Sequence, residues 1–391
     1  MDSILIEKDF IGAMEDIVEF LRKKGYPEAV KLPYKKGNIF SIINDIIFFL
    51  GRGRGLFKSS FLYRFRRWIF NDRDLVFLCD FFMYNKEVSY SGISSLLGEE
   101  KVRDFLKLSI FTEEAYKNKK GSTFLKSQVR IIPFGGEYFI CDPFDRKIPD
   151  FVWIGSDSLL LADRLKRLNY DTKLAVDIGS GSGIQAITLS ICQSSKVIAI
   201  DINEKGLKYA MLNAIINKRT NISFVRSDML SAVKGGIDTI VSNPPFIFLP
   251  PGEETVNRDG YGGKLGLEKI IYILKMVPQY LNPNGQAFIL TLSPVISGKN
   301  ILMDQVKRIF DRNYSIDFEV IDYVYIREFK ELYDSENISY FVQGMLKISK
   351  TATGARGLQL SIKDAPKMKK LLSFVKIMAN KAFYKNYAHA A

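Results

Sequence analysis

Residues 173–183 read KLAVDIGSGSG, and residues 196–201, KVIAID, follow after one helix-length segment. The first run is apolar and strand-like up to Ile178; glycine then stands at every second position, Gly179, Gly181 and Gly183. Glycines let a backbone turn sharply and approach a ligand with no Cβ in the way. A helix that begins directly after such a turn offers unpaired N–H groups. The second strand ends in Asp201, 22 positions beyond Gly179, where a carboxylate can accept from both hydroxyls of a ribose. These features describe the nucleotide-binding corner of an open α/β sheet. The spacing is GxGxG rather than the GxGxxG of dinucleotide sites. Asp177 stands just before the first glycine, where it can face a ligand ammonium. Asp228 follows the third strand, where it can accept from an adenine amine.

Outward from this corner, residues 170–349 alternate strands and helices. Strands are predicted at 173–178, 196–202, 222–227, 237–242, 286–292, 316–324 and 340–349, and helices at 184–193, 204–217, 264–281 and 300–312. The fold class is therefore α/β, a doubly wound sheet of seven strands. The last two strands lack a long helix between them, which suggests an antiparallel hairpin at the sheet edge.

Before this lies an α+β region, residues 1–149. Residues 7–24 carry Phe10, Met14, Ile17, Val18 and Leu21 at helical spacing, and Gly25 stops the helix. Three short helices are predicted at 74–85, 91–97 and 99–114, then a hairpin that turns at Gly135-Gly136 within RIIPFGGEYFIC. Three helices followed by a hairpin is the order of a winged-helix module. Residues 51–70 interleave Arg52, Arg54, Lys58, Arg64, Arg66 and Arg67 with aromatic side chains. Residues 347–391 hold ten basic residues and one acid, with a helical apolar stripe from Lys367 to Tyr387. The expected division is 1–149, 150–349 and a basic amphipathic tail, 350–391.

Composition excludes other chemistries. With 56 basic and 43 acidic residues the formal charge is +13, which favours an anionic partner. The only histidine is His389, which argues against a Ser-His-Asp triad or a multi-histidine metal site, and no metal is expected. Cys79, Cys141 and Cys192 form no CxxC pair, which fits a reducing compartment. The start, MDSILIEKDF, lacks signal-peptide features, and Ile39–Leu50 is too short and polar to span a bilayer. The expectation is a soluble cytoplasmic protein.

The fourth strand ends in Asn243-Pro244-Pro245-Phe246. An amide or aromatic amine delocalises its lone pair and is a poor nucleophile. The Asn243 side-chain oxygen and the Pro244 carbonyl can accept the two N–H bonds of such a nitrogen and favour its pyramidal form. Pro244 and Pro245 stiffen the loop, and Phe246 can stack on a flat substrate. Alignment supplies much of the catalysis, and no histidine base is needed.

VDIGSGSG, AIDIN, SDML and SNPPF, in this order, resemble the Rossmann-like S-adenosylmethionine-dependent methyltransferases, specifically the small-domain N-methyltransferases. The resemblance implies S-adenosylmethionine as cofactor. It implies Gly179, Gly181 and Gly183 around its methionine moiety, Asp177 near the amine, Asp201 on the ribose and Asp228 beside the adenine, with Ile202 and Met229 also among the cofactor-binding residues. Asn243 borders the same ligand. Residues 151–165, FVWIGSDSLLLADRL, resemble the upstream cofactor segment of this group; Ser156 and Asp157 there either cap a helix or contact the methionine group. Residues 257–270, NRDGYGGKLGLEKI, are loosely similar to a loop of glutamine methyltransferases and suggest either substrate closure or a flexible linker.

Three acceptors stay open at this point. An exocyclic amine of an RNA base stands first, from NPPF, the winged-helix-like order and the basic segments 51–70 and 347–391. A protein glutamine or a small amine or amide metabolite is the alternative. A non-catalytic winged-helix binding protein on a degenerate methyltransferase fold is the third.

Overall fold

Each strand predicted between residues 170 and 349 forms, and one sheet holds them all. The computed structural model describes residues 6–26, 72–114, 123–143, 148–167, 172–191, 194–253, 260–326, 329–351 and 358–364. These divide into two compact units. One comprises residues within Met1–Asp145 together with Met211–Lys218, and the other those within Arg146–Ala210 and Arg219–Ala391.

In the first unit the elements are α1 (Lys8–Lys23), α2 (Arg73–Leu78) running into a π-helical turn at Cys79–Met83, β1 (Val88–Ser89), α3 (Tyr90–Leu97), α4 (Glu99–Lys107), β2 (Phe111–Glu114), β3 (Phe124–Ser127), β4 (Arg130–Phe134) and β5 (Glu137–Cys141). The five apolar residues of α1 named above are all buried. Tyr26, just beyond, is buried and donates its hydroxyl to the Ile131 carbonyl at 3.0 Å. The hairpin β4–β5 turns at Gly135-Gly136, both at positive φ.

The third short helix of this region ends earlier than the sequence predicts, while the second ends at Leu97 as expected. The helix expected at 99–114 stops at Lys107, Ser109 takes a φ of 55°, and Phe111–Glu114 turns into a strand paired with β3. The three-stranded sheet β1-β3-β2 therefore precedes the hairpin, so the strands that directly follow the helices are not the ones expected. The free edge of β5 is satisfied by two asparagines of residues 211–218. Asn213 pairs with the Ile140 N–H and carbonyl at 2.7 and 2.9 Å, and Asn217 with those of Tyr138 at 2.9 and 2.7 Å. Buried backbone groups need such partners.

The second unit contains α5 (Ser156–Lys166), β6 (Thr172–Ile178), α6 (Ile184–Ile191), β7 (Ser194–Asp201), α7 (Glu204–Ile216, whose last residues group with the first unit), β8 (Ile222–Arg226), β9 (Ile237–Ser242), α8 (Glu268–Tyr280), β10 (Leu281–Ile296), β11 (Lys299–Asn300), α9 (Ile301–Ile309), β12 (Tyr314–Val324), α10 (Lys330–Ser335), β13 (Ile338–Lys350) and β14 (Gln359–Lys363). The strand order is β8-β7-β6-β9-β10-β13-β12-β14, with β11 folded back on β10. Strands β8 to β10 run parallel, and β13 lies antiparallel between β10 and β12.

This is the expected α/β sheet, with nine strands in place of seven. The last long strand inserts inside the sheet rather than closing its edge. The edge strand β14 belongs to the stretch read as tail. Its alternation of Leu358, Leu360 and Ile362 is a period-two signal within a segment dominated by basic charge. Cores fill both faces. Ile270, Ile273, Leu274, Leu302 and Val306 of α8 and α9 pack on one, and Leu161, Leu165, Ala186 and Leu189 of α5 and α6 on the other. Among the described residues no helix is long and apolar enough to cross a membrane. The basic-aromatic segment 51–70, Ile39–Leu50 and the stripe at 367–387 lie outside the described residues.

Candidate active site

In a parallel sheet of this order the ligand crevice opens at the carboxyl ends of the central strands, where successive connections leave in opposite directions. Here β6 and β9 are neighbours, with Ile178 in register with Ser242. Ser242 donates its hydroxyl to the Ile178 carbonyl at 2.8 Å, which ties the start of the glycine corner to the start of NPPF.

The corner is built tightly. The N–H groups of Gly179 and Ser180 both donate to the Ile200 carbonyl, at 2.8 and 2.9 Å, and the Gly183 N–H donates to the Ser180 carbonyl at 2.8 Å. All three glycines hold positive φ, 70°, 49° and 79°. Their surroundings differ. A Cβ at Gly179 or Gly181 would stand in open space, whereas one at Gly183 would lie 2.8 Å from the Cβ of Ala210. Gly179 and Gly181 thus form an open cradle, and Gly183 permits close packing of α6 on α7.

Asp177 is 1% exposed. One carboxylate oxygen accepts from the Ser180 hydroxyl at 2.7 Å and from the Ala186 N–H at 3.0 Å, so the side chain braces the turn and the start of α6. Burial pushes its pKa up to about 7, against the pull of those two hydrogen bonds, and the nearby charge of Asp201 adds to the rise.

Asp201 reaches across to the cradle. One oxygen accepts from the Gly181 N–H at 2.7 Å and the other from the Asn203 N–H at 2.8 Å. Each oxygen keeps a further lone pair for a hydroxyl donor. Burial raises its pKa, and the backbone donors oppose the shift. Ile202 beside it is 60% exposed, an apolar side chain left uncovered next to the carboxylate. Asp228 is exposed, and Met229 is partly buried against the core with a φ of 49°.

At the end of β9 the Asn243 carboxamide is anchored on one side. Its Nδ2 donates to Asp157 Oδ2 at 2.9 Å and to Ser158 Oγ at 3.1 Å, while its Oδ1 is buried with no hydrogen-bond partner. Pro244 is buried, and Pro245 and Phe246 are partly so; Phe246 packs against the core on both sides of the sheet. The cap of α5 is Gly155, without a side-chain cap, and Ser156 is exposed.

Several residues here escaped the sequence reading. Ser158 contacts Asn243, and its carbonyl accepts from Gln185 Nε2 at 3.0 Å. Gln185 is 4% exposed in the run IQAITLSI, where a carboxamide among apolar and hydroxyl side chains was the available signal. Gly206 on α7 lets that helix approach Gly181 Cα, since a Cβ there would lie 3.3 Å away; an isolated glycine inside a helical pattern marked it. Gly262 and Gly266 sit against the Phe246 backbone, where Cβ atoms would come within 2.7 and 2.3 Å. The Ile247 N–H also donates to the Gly260 carbonyl, and the Gly262 N–H to that of Ile247. Residues 260–266 are therefore packed onto NPPF by close glycine contact. Residues 257–259 of the same loop lie outside the described residues.

The methyltransferase small-domain family model matches residues 153–255, from Trp153 in the α5 approach through NPPF. The chain is 32% identical over 165 residues to a protein of Methanocaldococcus jannaschii named as a protein N5-glutamine methyltransferase, covering 41% of this chain and 80% of that one. The chain belongs to the small-domain family of S-adenosylmethionine-dependent methyltransferases. It is also 35% identical over 162 residues to the release factor glutamine methyltransferase of Fusobacterium nucleatum, covering 38% of this chain and 43% of that one, so it spans less than half of that relative. Among solved structures it overlaps Trm5b of Pyrococcus abyssi with a TM-score of 0.40 at 15% identity, over 63% of this chain and 67% of that one. The chain is an enzyme, an N-methyltransferase whose cofactor is S-adenosylmethionine. The open cradle at Gly179 and Gly181 and the two-sided Asp201 fit that ligand. When bound it supplies an electrophilic methyl carbon on a sulfonium sulfur.

Proposed function

We propose that this methyltransferase acts on the side-chain amide nitrogen of a protein glutamine. Asp201 holds the ribose hydroxyls, Ile202 lies along the adenine, and the cradle at Gly179 and Gly181 admits the chain between them. Asp228 and Met229 border the adenine. Asp177 acts on the methionine end through the turn that it braces, and Ser156 faces the crevice mouth. Asn243 Oδ1 and the Pro244 carbonyl accept the two N–H bonds of the incoming amide, and Phe246 flanks its plane.

The observation that carries the reading is the orphaned Asn243 Oδ1. A buried acceptor without a partner costs about 1–3 kcal/mol, and a substrate N–H removes that cost at the reacting atom. The glutamine assignment is supported by the names of the two relatives. It is further supported by α4, the third helix of the winged-helix-like order. That helix carries Glu99, Glu100 and Asp104 against Lys101, Arg103 and Lys107. The three bases pair with Asp16, Glu99 and Asp104. A nucleic-acid-reading helix carries an excess of positive charge.

The exocyclic amine of an RNA base is the second reading, favoured by the charge of +13. Labelled methyl transfer into cell extract, followed by separate protease and nuclease digestion, distinguishes them. The expected result is label released by protease and recovered as N5-methylglutamine. Label released only by nuclease overturns the glutamine assignment.

A further inference from the structure

A carboxamide in a pocket has two orientations related by a half-turn, which exchange its oxygen and its NH₂. Only one of them presents an acceptor to a substrate amine. The orientation of Asn243 is set by chemistry on its far side. Asp157 as a carboxylate only accepts, so the group facing its Oδ2 at 2.9 Å must be the Asn243 NH₂. Ser158 Oγ accepts the second N–H at 3.1 Å. With both N–H bonds committed, Oδ1 is left facing away, buried and unpartnered.

These two residues sit in the first turn of α5, which is itself fixed. Gln185, in the first turn of α6, donates to the Ser158 carbonyl. Gly155 leaves room for the Asp157 carboxylate to fold back, since a Cβ there would lie 2.3 Å from Asp157 Oδ1.

We propose that Asp157 and Ser158 are positioning residues that lock the Asn243 carboxamide in the orientation presenting Oδ1 to the acceptor nitrogen. The proposal rests on the role of Asn243 given above. It also gives Asp157 work that is neither helix capping nor contact with the cofactor. Asp157→Asn tests it directly, because an amide at 157 can meet either face of Asn243. Gly155→Ala tests it without changing a polar atom, by displacing the carboxylate.

The enzyme is labelled with ¹⁵N-asparagine, and the Asn243 side-chain NH₂ pair is identified by its absence in Asn243→Ala. In the wild type this pair is expected to exchange slowly with solvent. In Asp157→Asn and Gly155→Ala it should shift and exchange at least ~10-fold faster, and Asp157→Glu should restore it partly. With a synthetic peptide carrying one internal glutamine, kcat should fall ~10-fold or more in both variants, with calorimetric cofactor affinity within about twofold of wild type. Combining Asp157→Asn with Asn243→Ala should add no further loss. An Asn243 NH₂ signal that is unchanged in Asp157→Asn overturns the proposal, as does full turnover in that variant when Asn243→Ala is inactive. Full turnover in Asn243→Ala itself instead refutes the role given to Asn243, while the NH₂ signal still reports whether Asp157 orients it.

Discussion

At Asp201 one carboxylate serves two structures at once, the Gly181 N–H of the cradle and the Asn203 N–H at its own strand end. Asp201→Ala removes charged hydrogen bonds on both sides. Cofactor affinity should fall by about 1–3 kcal/mol, measured by calorimetry. Asp177 behaves differently, because it is sealed inside the turn. Its folded pKa of about 7 lies above the value of 3.8 for a free aspartate, so the folded state binds the extra proton between those limits. The associated stability is fully present below pH 4 and is lost as the pH rises to about 7. Urea midpoints measured from pH 4 to pH 7 should therefore fall in the wild type by more than in Asp177→Asn, a difference on the order of a few kcal/mol. Parallel pH profiles would remove Asp177 from the account. The sequence marked both aspartates through their strand ends. It could not tell them apart, since burial of Asp177 follows from the Ser180 and Ala186 contacts of a closed turn.

The glycine corner shows how one spaced pattern contains two physical demands. Gly179 and Gly181 face open space, while Gly183 faces Ala210. Gly183→Ala should destabilise the fold by about 2–4 kcal/mol, combining overpacking with a left-handed backbone, and Ala210→Gly should recover part of this in the double variant. Gly181→Ala should cost stability far less and cofactor affinity more. Equal unfolding midpoints for the two alanine variants would contradict this division. Strands were readable because β-branched runs such as LAVDI and KVIAID are bounded by turn residues. Three features were not. The break after α4, the π-helical turn at Cys79–Met83 and the strand β14 depend on pairing with distant strands or on packing, and local periodicity is a weak guide there.

Across the whole molecule the succession of strands, the glycine corner and NPPF were all visible in the sequence, because each is a local motif in a fixed succession, whereas the order of the strands in the sheet beyond β10 was not. The anchoring of Asn243 was not, since Asp157 and Ser158 lie 86 and 85 positions away and meet it only once the sheet forms. The acceptor was the least readable feature. Net charge pointed first to RNA, whereas α4 is charge-balanced and the two relatives carry the names of glutamine methyltransferases. Everything turns on the carboxamide at the end of β9. The most direct test is methyl transfer by Asn243→Ala under saturating cofactor, alongside its cofactor affinity. The account predicts affinity within about twofold of wild type and turnover lowered by ~10²-fold or more, the scale of a lost transition-state hydrogen bond. Undiminished turnover would contradict it.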